Sequence, residues 1–315
     1  MDVYLAKLDS TLTPVWANYY DYGFDGALAL LASASGALFV AAQAGGLNYL
    51  LRIASDGSLV WARQFSAGGG TIEKMVELNN GNLLLVGSNW VLGQGGQDLW
   101  LASIASDGSL SWATTVAGST GGWVDKGAGA SASNDGGFFA VGEFRIGGMF
   151  GAPEQGFLKF NASGNFLWGK RISVGGAHDI AELPDGTLAT SLFLPSAPDN
   201  LTQVIHYDST GNVLWGRQAP VGGTIFHPGR VWTTASGDIV SLGLAGAYMG
   251  VWKQPSTGSS ISCGITSFAP SVSDYTPAFI DDQTAFTTLS NITVTTTAAP
   301  LPVGSSTASA TLICN

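Results

Sequence analysis

Apolar residues along this chain come in short runs cut by small polar residues and glycine. Typical runs are ALFVAAQ (37–43), YLLRI (49–53), NLLLVGS (82–88), WLASI (100–104), GFFAVGE (137–143) and FLKF (157–160). SASG, SDGS, NNGN, SDGS, NDGG and ASGN separate or follow them. No segment sustains a 3.6-residue apolar period between helix caps, and β-branched and aromatic residues dominate the runs. Short apolar runs bounded by Gly, Asn and Asp predict strands joined by tight turns.

The runs repeat. One unit ends in an apolar residue and Trp: YLAKLDSTLTPVW (4–16), YLLRIASDGSLVW (49–61), WLASIASDGSLSW (100–112), FLKFNASGNFLW (157–168) and VIHYDSTGNVLW (204–215). The tryptophans are Trp16, Trp61, Trp112, Trp168 and Trp215, spaced 45, 51, 56 and 47 residues apart. A sixth copy, MGVWKQPSTGSSISC (249–263), carries Cys263 where the Trp is expected. A second unit interleaves: ASGALFVAAQ (34–43), NNGNLLLVGS (79–88), NDGGFFAVGE (134–143), PDGTLATSLF (184–193) and ASGDIVSLGL (235–244). Its glycines, Gly36, Gly81, Gly136, Gly186 and Gly237, stand where a hairpin turn needs positive φ.

Each period therefore holds two hairpins, hence four short strands, and four strands per repeat of this length is the pattern of a β-propeller blade. A Trp at a fixed place in each repeat reads as packing against the next blade. Its ring buries roughly 150–250 Å², an upper bound of about 4–6 kcal/mol each. Residues 26–265 give five complete repeats, and an orphan Trp hairpin (3–20) precedes them. An open sheet edge is a liability, so the orphan predicts an inner hairpin supplied from beyond residue 270. The expected fold is an all-β propeller of six blades, or seven if the tail adds one, closed by shared N- and C-terminal strands. Residues 1–265 form the propeller. Residues 266–315 form a strand-rich tail that completes the last blade or mediates assembly.

The repeats resemble the bacterial β-propeller repeat proteins known as delta-60 or SBBP-type repeats. They are more distantly similar to the Trp-docking repeats of quinoprotein dehydrogenases. The second resemblance carries no quinone chemistry, because the chain has too few blades and no adjacent cysteine pair.

Composition narrows the function classes. Charged residues are 11% of the chain and Gly accounts for 44 of 315 residues. Net charge is −10, with 12 Lys and Arg, which argues against nucleic acid and anionic membrane surfaces as partners. The opening MDVYLAKLDS has no basic-then-apolar leader, and no stretch is long and apolar enough to span a membrane as a helix. Cys263 and Cys314 bracket the tail, and a bridge between them would stabilise by roughly 4 kcal/mol and imply an oxidising setting.

Candidate chemistry is sparse. None of the three histidines sits in a zinc-binding pattern, and no nucleophile elbow, phosphate loop or calcium loop occurs, so no metal or cofactor is expected. His206 falls within a strand and reads as a packed residue. Asp25, Glu73, Asp125, His178 (with Asp179) and His227 precede or open the first strand of successive repeats and would line one rim of the axial channel. The resulting expectation is a non-enzymatic structural or recognition protein, a bacteriophage tail or capsid-decorating component. Its partners would be other copies, other structural proteins of an assembly, or a host-surface glycan or protein, in a virion or outside cells. The alternatives are a secreted or cell-surface propeller that binds glycans or proteins, and a propeller lyase or glycosidase.

Overall fold

The computed structural model describes residues 2–65, 70–90, 97–117, 126–145, 153–172, 176–194, 200–221, 229–245, 248–259, 266–274, 276, 278–280, 289–291 and 293–298. These residues form strands and turns, and no helix occurs among them. The first sheet contains β1 (Val3–Leu8) and β2 (Pro14–Asp21). The second contains β3 (Gly26–Ala32), β4 (Leu38–Ala44), β5 (Leu47–Ile53) and β6 (Leu59–Phe65). The third contains β7 (Thr71–Glu77), β8 (Leu83–Trp90), β9 (Gln97–Ile104) and β10 (Leu110–Ala117). The fourth contains β11 (Lys126–Ala132), β12 (Phe138–Arg145), β13 (Pro153–Phe160) and β14 (Phe166–Ile172). The fifth contains β15 (Gly176–Glu182), β16 (Leu188–Leu194), β17 (Asn200–Tyr207) and β18 (Val213–Val221). The sixth contains β19 (Val231–Thr233), β20 (Ile239–Ala245) and β21 (Tyr248–Gln254).

Within each sheet consecutive strands pair antiparallel, and the first strands of successive sheets pack on one another. That is the arrangement of a β-propeller. Second and third strands are sandwiched between neighbouring sheets, so they read as continuous apolar runs rather than alternating ones. β5 and β9 are buried along nearly their whole length, whereas the fourth strands β6 and β14 alternate. The core is correspondingly divided into layers between sheets. Phe39, Leu50 and Phe65 meet Ile72, Leu85 and Trp100 between the second and third sheets. Phe139, Val141 and Phe157 meet Ile180, Leu192 and Tyr207 between the fourth and fifth.

Both hairpin types use one turn. The glycine amide donates to the carbonyl three residues back, as Gly36 N does to Ser33 O (2.9 Å) and Gly57 N does to Ala54 O (3.0 Å). Gly36, Gly81, Gly136, Gly186 and Gly237 all have φ between 80° and 90°. Open space surrounds a Cβ built on the last four, so backbone conformation alone requires glycine there. The turns between third and fourth strands add a steric demand. Trp16 lies against Gly57, Trp61 against Gly108, Trp112 against Gly164 and Trp215 against Gly258, each glycine belonging to the next sheet. Trp16, Trp61 and Trp215 also donate their indole N–H to Ser55, Ser106 and Ser256 carbonyls (3.0, 3.2 and 2.8 Å). Trp168 differs, packing edge-on against Phe139 and Phe157. All five rings are half-buried, so each contributes less than the full-burial bound.

The tail departs from the expected closure. β22 (Thr266–Phe268), β23 (Val272–Asp274), β24 (Ala278–Ile280), β25 (Leu289–Asn291) and β26 (Thr295–Ala298) add one outer strand each to the fifth, fourth, third, second and first sheets. The tail thus runs backwards around the outside, and the Trp-bearing fourth strands are not outermost. The terminal strand β26 does share a sheet with β1 and β2, but on the far side of β2. No described strand lies inward of β1, so the ring is not closed among the described residues. The Cys263–Cys314 pairing falls on residues outside those described.

Candidate functional site

The turns from first to second and from third to fourth strands lie at one end of the sheets. The opposite end carries the starts of the first strands and the longer connections, and loops on such a face are where propeller function resides. Each first strand of the second to fifth sheets has a bulge near its start, at Leu28, Glu73, Ala128 and His178. The bulge inserts one residue and re-aims the next toward the axis. The equivalent next residues are Ala29, Lys74, Gly129 and Asp179, and pairing of β19 with β20 puts Arg230 at the same level in the sixth sheet.

Three ionisable side chains from three sheets converge there. Lys74 Nζ makes a short ion pair with Asp179 Oδ1. Asp179 is 1% exposed and accepts further bonds from Ile180 N (3.0 Å) and Val231 N (3.3 Å). Gly129 lies between them in sequence order of the sheets, and a Cβ there would stand 2.5 Å from Asp179 Oδ1. Glycine at that place gives the third and fifth sheets room to meet. Arg230 donates to Glu73 O (3.0 Å) and, at the limit of hydrogen-bond length, to Ala128 O (3.5 Å), tying the sixth sheet to the third and fourth.

Burial sets the electrostatics. It pushes the Asp179 carboxyl up, against the pull of Lys74 and Arg230. It pushes the Lys74 ammonium down, opposed by Asp179. Both partners resist charging in this desolvated place, and the ion pair offsets part of that cost. Burial, with Arg230 next, brings His178 down to about 4, so its imidazole is neutral at pH 7. His178 Nε2 is buried without a hydrogen-bond partner, and its ring lies 6.3 Å from Phe193.

Of the rim residues read from sequence, Glu73 and His178 stand at bulges around this cluster. Glu73 is exposed, and its carboxylate accepts a bond from Thr71 Oγ1 (2.7 Å). Asp25 is exposed on the same face and accepts from Gly45 N (2.9 Å), serving its own loop. Asp125 and His227 lie outside the described residues. Lys74 and Arg230 were missed, although each follows an expected rim position by one and three residues. His206 is buried, its Nε2 2.8 Å from Thr187 Oγ1 and its ring 5.1 Å from Trp215, away from the axis. Among the described residues no group of three or more His, Cys, Asp or Glu is placed to hold a metal ion.

No family model matches the chain, and no curated protein matches it. Solved structures do. The GH93 α-L-arabinofuranosidase of Fusarium graminearum aligns with 11% identity and a TM-score of 0.44, covering 72% of this chain and 80% of that one. The α-L-arabinanase of Penicillium chrysogenum aligns with 12% identity and a TM-score of 0.49, covering 82% and 83%. Both were solved with arabinobiose. The expectation of a non-enzymatic bacteriophage component is corrected on this finding, since the solved chains of similar fold are glycosidases. The likeness is one of fold, so any chemistry here is argued from this chain's own residues.

Proposed function

We propose that the protein is a carbohydrate-active β-propeller enzyme working at the axial mouth of its loop-bearing face. The observation that carries the reading is an exposed carboxyl group held at a bulge over a buried, ion-paired cluster drawn from three sheets. Asp179 is buried with its pKa pushed up, and Glu73 is exposed beside Lys74, the residue that holds Asp179. Hydrolysis of a glycosidic bond needs a carboxyl group presented to the sugar by a fixed surround. Glu73 is assigned the carboxyl that meets the sugar, and the Lys74–Asp179 ion pair and Arg230, which donates to the Glu73 carbonyl, fix its position.

The fold reading that goes with this is a ring of six sheets. The junction from the sixth sheet to the first is its seam, because the docking pair is replaced on both sides there. Cys263 stands where the other repeats have Trp, and Leu12, with φ of 64°, stands where the other turns have glycine. The test is release of reducing ends from a panel of plant and bacterial polysaccharides by the full chain. Glu73→Gln should lower the rate by about 10²–10⁴-fold, the usual worth of a proton-transfer or nucleophilic group, without moving the melting temperature. Cleavage of nothing in the panel, or an unaffected Glu73→Gln variant, would refute the assignment.

A further inference from the structure

The charges at the axis are unevenly paired. Lys74 is held by Asp179, the exposed Glu73 carboxylate accepts from Thr71 Oγ1, and His178 is neutral. Asp179 is already committed, receiving Lys74, Ile180 N and Val231 N. Arg230 has no carboxylate within ion-pair distance among the described residues, and its hydrogen bonds end on the neutral main-chain carbonyls of Glu73 and Ala128. A half-buried guanidinium with no carboxylate in contact is costly to hold. In a chain with net charge −10, nothing in the overall composition calls for a spare cation here. A second polar group is also unanswered. His178, on the neighbouring sheet within electrostatic reach of Arg230, buries Nε2 with no partner.

We infer that Arg230 and His178 form an anion subsite at the axial mouth, built for the carboxylate of an acidic sugar. A planar carboxylate suits the guanidinium fork, which offers parallel N–H donors. His178 Nε2–H, in the tautomer that carries the proton there, supplies one further donor. Lys74 is held on Asp179 and takes no direct part. This deepens the carbohydrate reading and rests on it. It places a uronic acid unit, rather than a neutral sugar, against the sixth sheet, with Glu73 one hydrogen-bonded step away through its carbonyl.

The experiment is calorimetric titration of the full chain with a uronic-acid oligosaccharide and with the same oligosaccharide after carboxyl reduction. The acidic ligand should bind at least about 10-fold more tightly, as one charge-assisted bidentate contact implies. Arg230→Gln should abolish that difference, while Arg230→Lys, which keeps charge without the fork, should retain part of it. Melting curves of both variants report whether they fold, and His178→Phe provides a second route should Arg230→Gln fail to fold. Equal binding of both ligands by the wild type overturns the subsite and leaves the carbohydrate reading standing. No binding of either, with stabilisation by inorganic sulfate that Arg230→Gln removes, overturns the sugar as occupant and the carbohydrate reading together.

Discussion

Two glycines of the fourth sheet separate conformation from packing. Gly136 turns β11 into β12 with φ of 90°, and a Cβ built on it meets nothing within 4 Å. Gly164 turns β13 into β14 with φ of 80°, but a Cβ there would lie 2.9 Å from Trp112 Cδ2 and Cε2. The indole has little room to retreat, because it stacks on Phe138 at 5.8 Å and Phe138 stacks on Phe160 at 5.0 Å. Gly136→Ala should cost about 1–2 kcal/mol, the strain of an L-residue at positive φ. Gly164→Ala should add the cost of overpacking, about 1–3 kcal/mol more. Urea unfolding measures both as shifts in midpoint at constant slope. In a Trp112→Ala background the wall is gone, so Gly164→Ala should fall back to about 1–2 kcal/mol, leaving a coupling of about 1–3 kcal/mol in the cycle. Equal costs for the two glycines, or a Gly164→Ala cost unchanged without Trp112, would refute the claim that inter-sheet docking is what requires glycine there.

Other outcomes follow from the same geometry. Leu12 holds φ of 64° with its side chain 76% exposed, so Leu12→Gly relieves strain without losing packing and should raise stability by about 1 kcal/mol, read as a higher urea midpoint. His178 has a folded pKa of about 4 against about 6.5 unfolded, so the unfolded chain binds its proton first as pH falls. Stability from this group is therefore full above pH 6.5 and declines toward pH 4, by about 1–3 kcal/mol after allowing for partial exposure. His178→Phe should flatten that slope in pH-dependent urea titrations, where His206 shifts the same way and the raised Asp179 acts in the opposite sense. Asp208 acts lower on the scale. Burial works to raise it, but bonds from Asn212 and Thr210 outweigh burial and bring it to about 2, so its contribution is lost only below pH 4. Asp208→Asn should lower the curve above pH 5 by a constant amount without changing its slope there, and should converge on the wild type only below pH 4.

The strands and the docking tryptophans were legible because each leaves a local mark repeated five times. A turn glycine three residues after a hydrogen-bonding carbonyl is a backbone requirement, and a Trp at a fixed offset is a packing one. The axial cluster was legible only in part. Glu73, His178 and Asp179 stood out by type, but Lys74, Gly129 and Asp179 reach the level of Arg230 only because bulges re-aim them, and a bulge has no fixed residue signature. Gly129 in particular reads as one more small residue in KGAGASA until Asp179 is placed against it. The tail was read as strands, but its partners were not. Each of its strands has three or four residues, too few for an alternation that specifies a face, and its pairing is decided by free outer edges formed far away in sequence.

Those short strands set the energetics of the tail. Three paired residues give two or three backbone hydrogen bonds, a net of about 0.5–1.5 kcal/mol each. Ordering three residues costs about 1–2 kcal/mol per residue. Backbone pairing alone therefore does not hold any one of them, and side chains must supply the difference. They do so unevenly. Val294 is buried among Val3, Tyr20 and Leu51, and Val272 packs against the layer between the fourth and fifth sheets. Lys170 meets Asp274 at 2.6 Å, but Asp274 is 91% exposed, so salt screens that pair. The tail should accordingly open locally, with protection greatest at β26 and β23 and least at β22 and β24. Native-state hydrogen exchange reads this directly, as tail amides exchanging well before those of β4, β5, β12 and β13. A chain ending at residue 265 should keep its four-stranded sheets but lose protection in β1 and β2, which have no other described strand beside them, and should self-associate through the uncovered edges of β6, β10, β14 and β18. Tail amides that exchange only with the global transition would instead mean that the outer strands are integral to the sheets, and that the first sheet depends on them to fold.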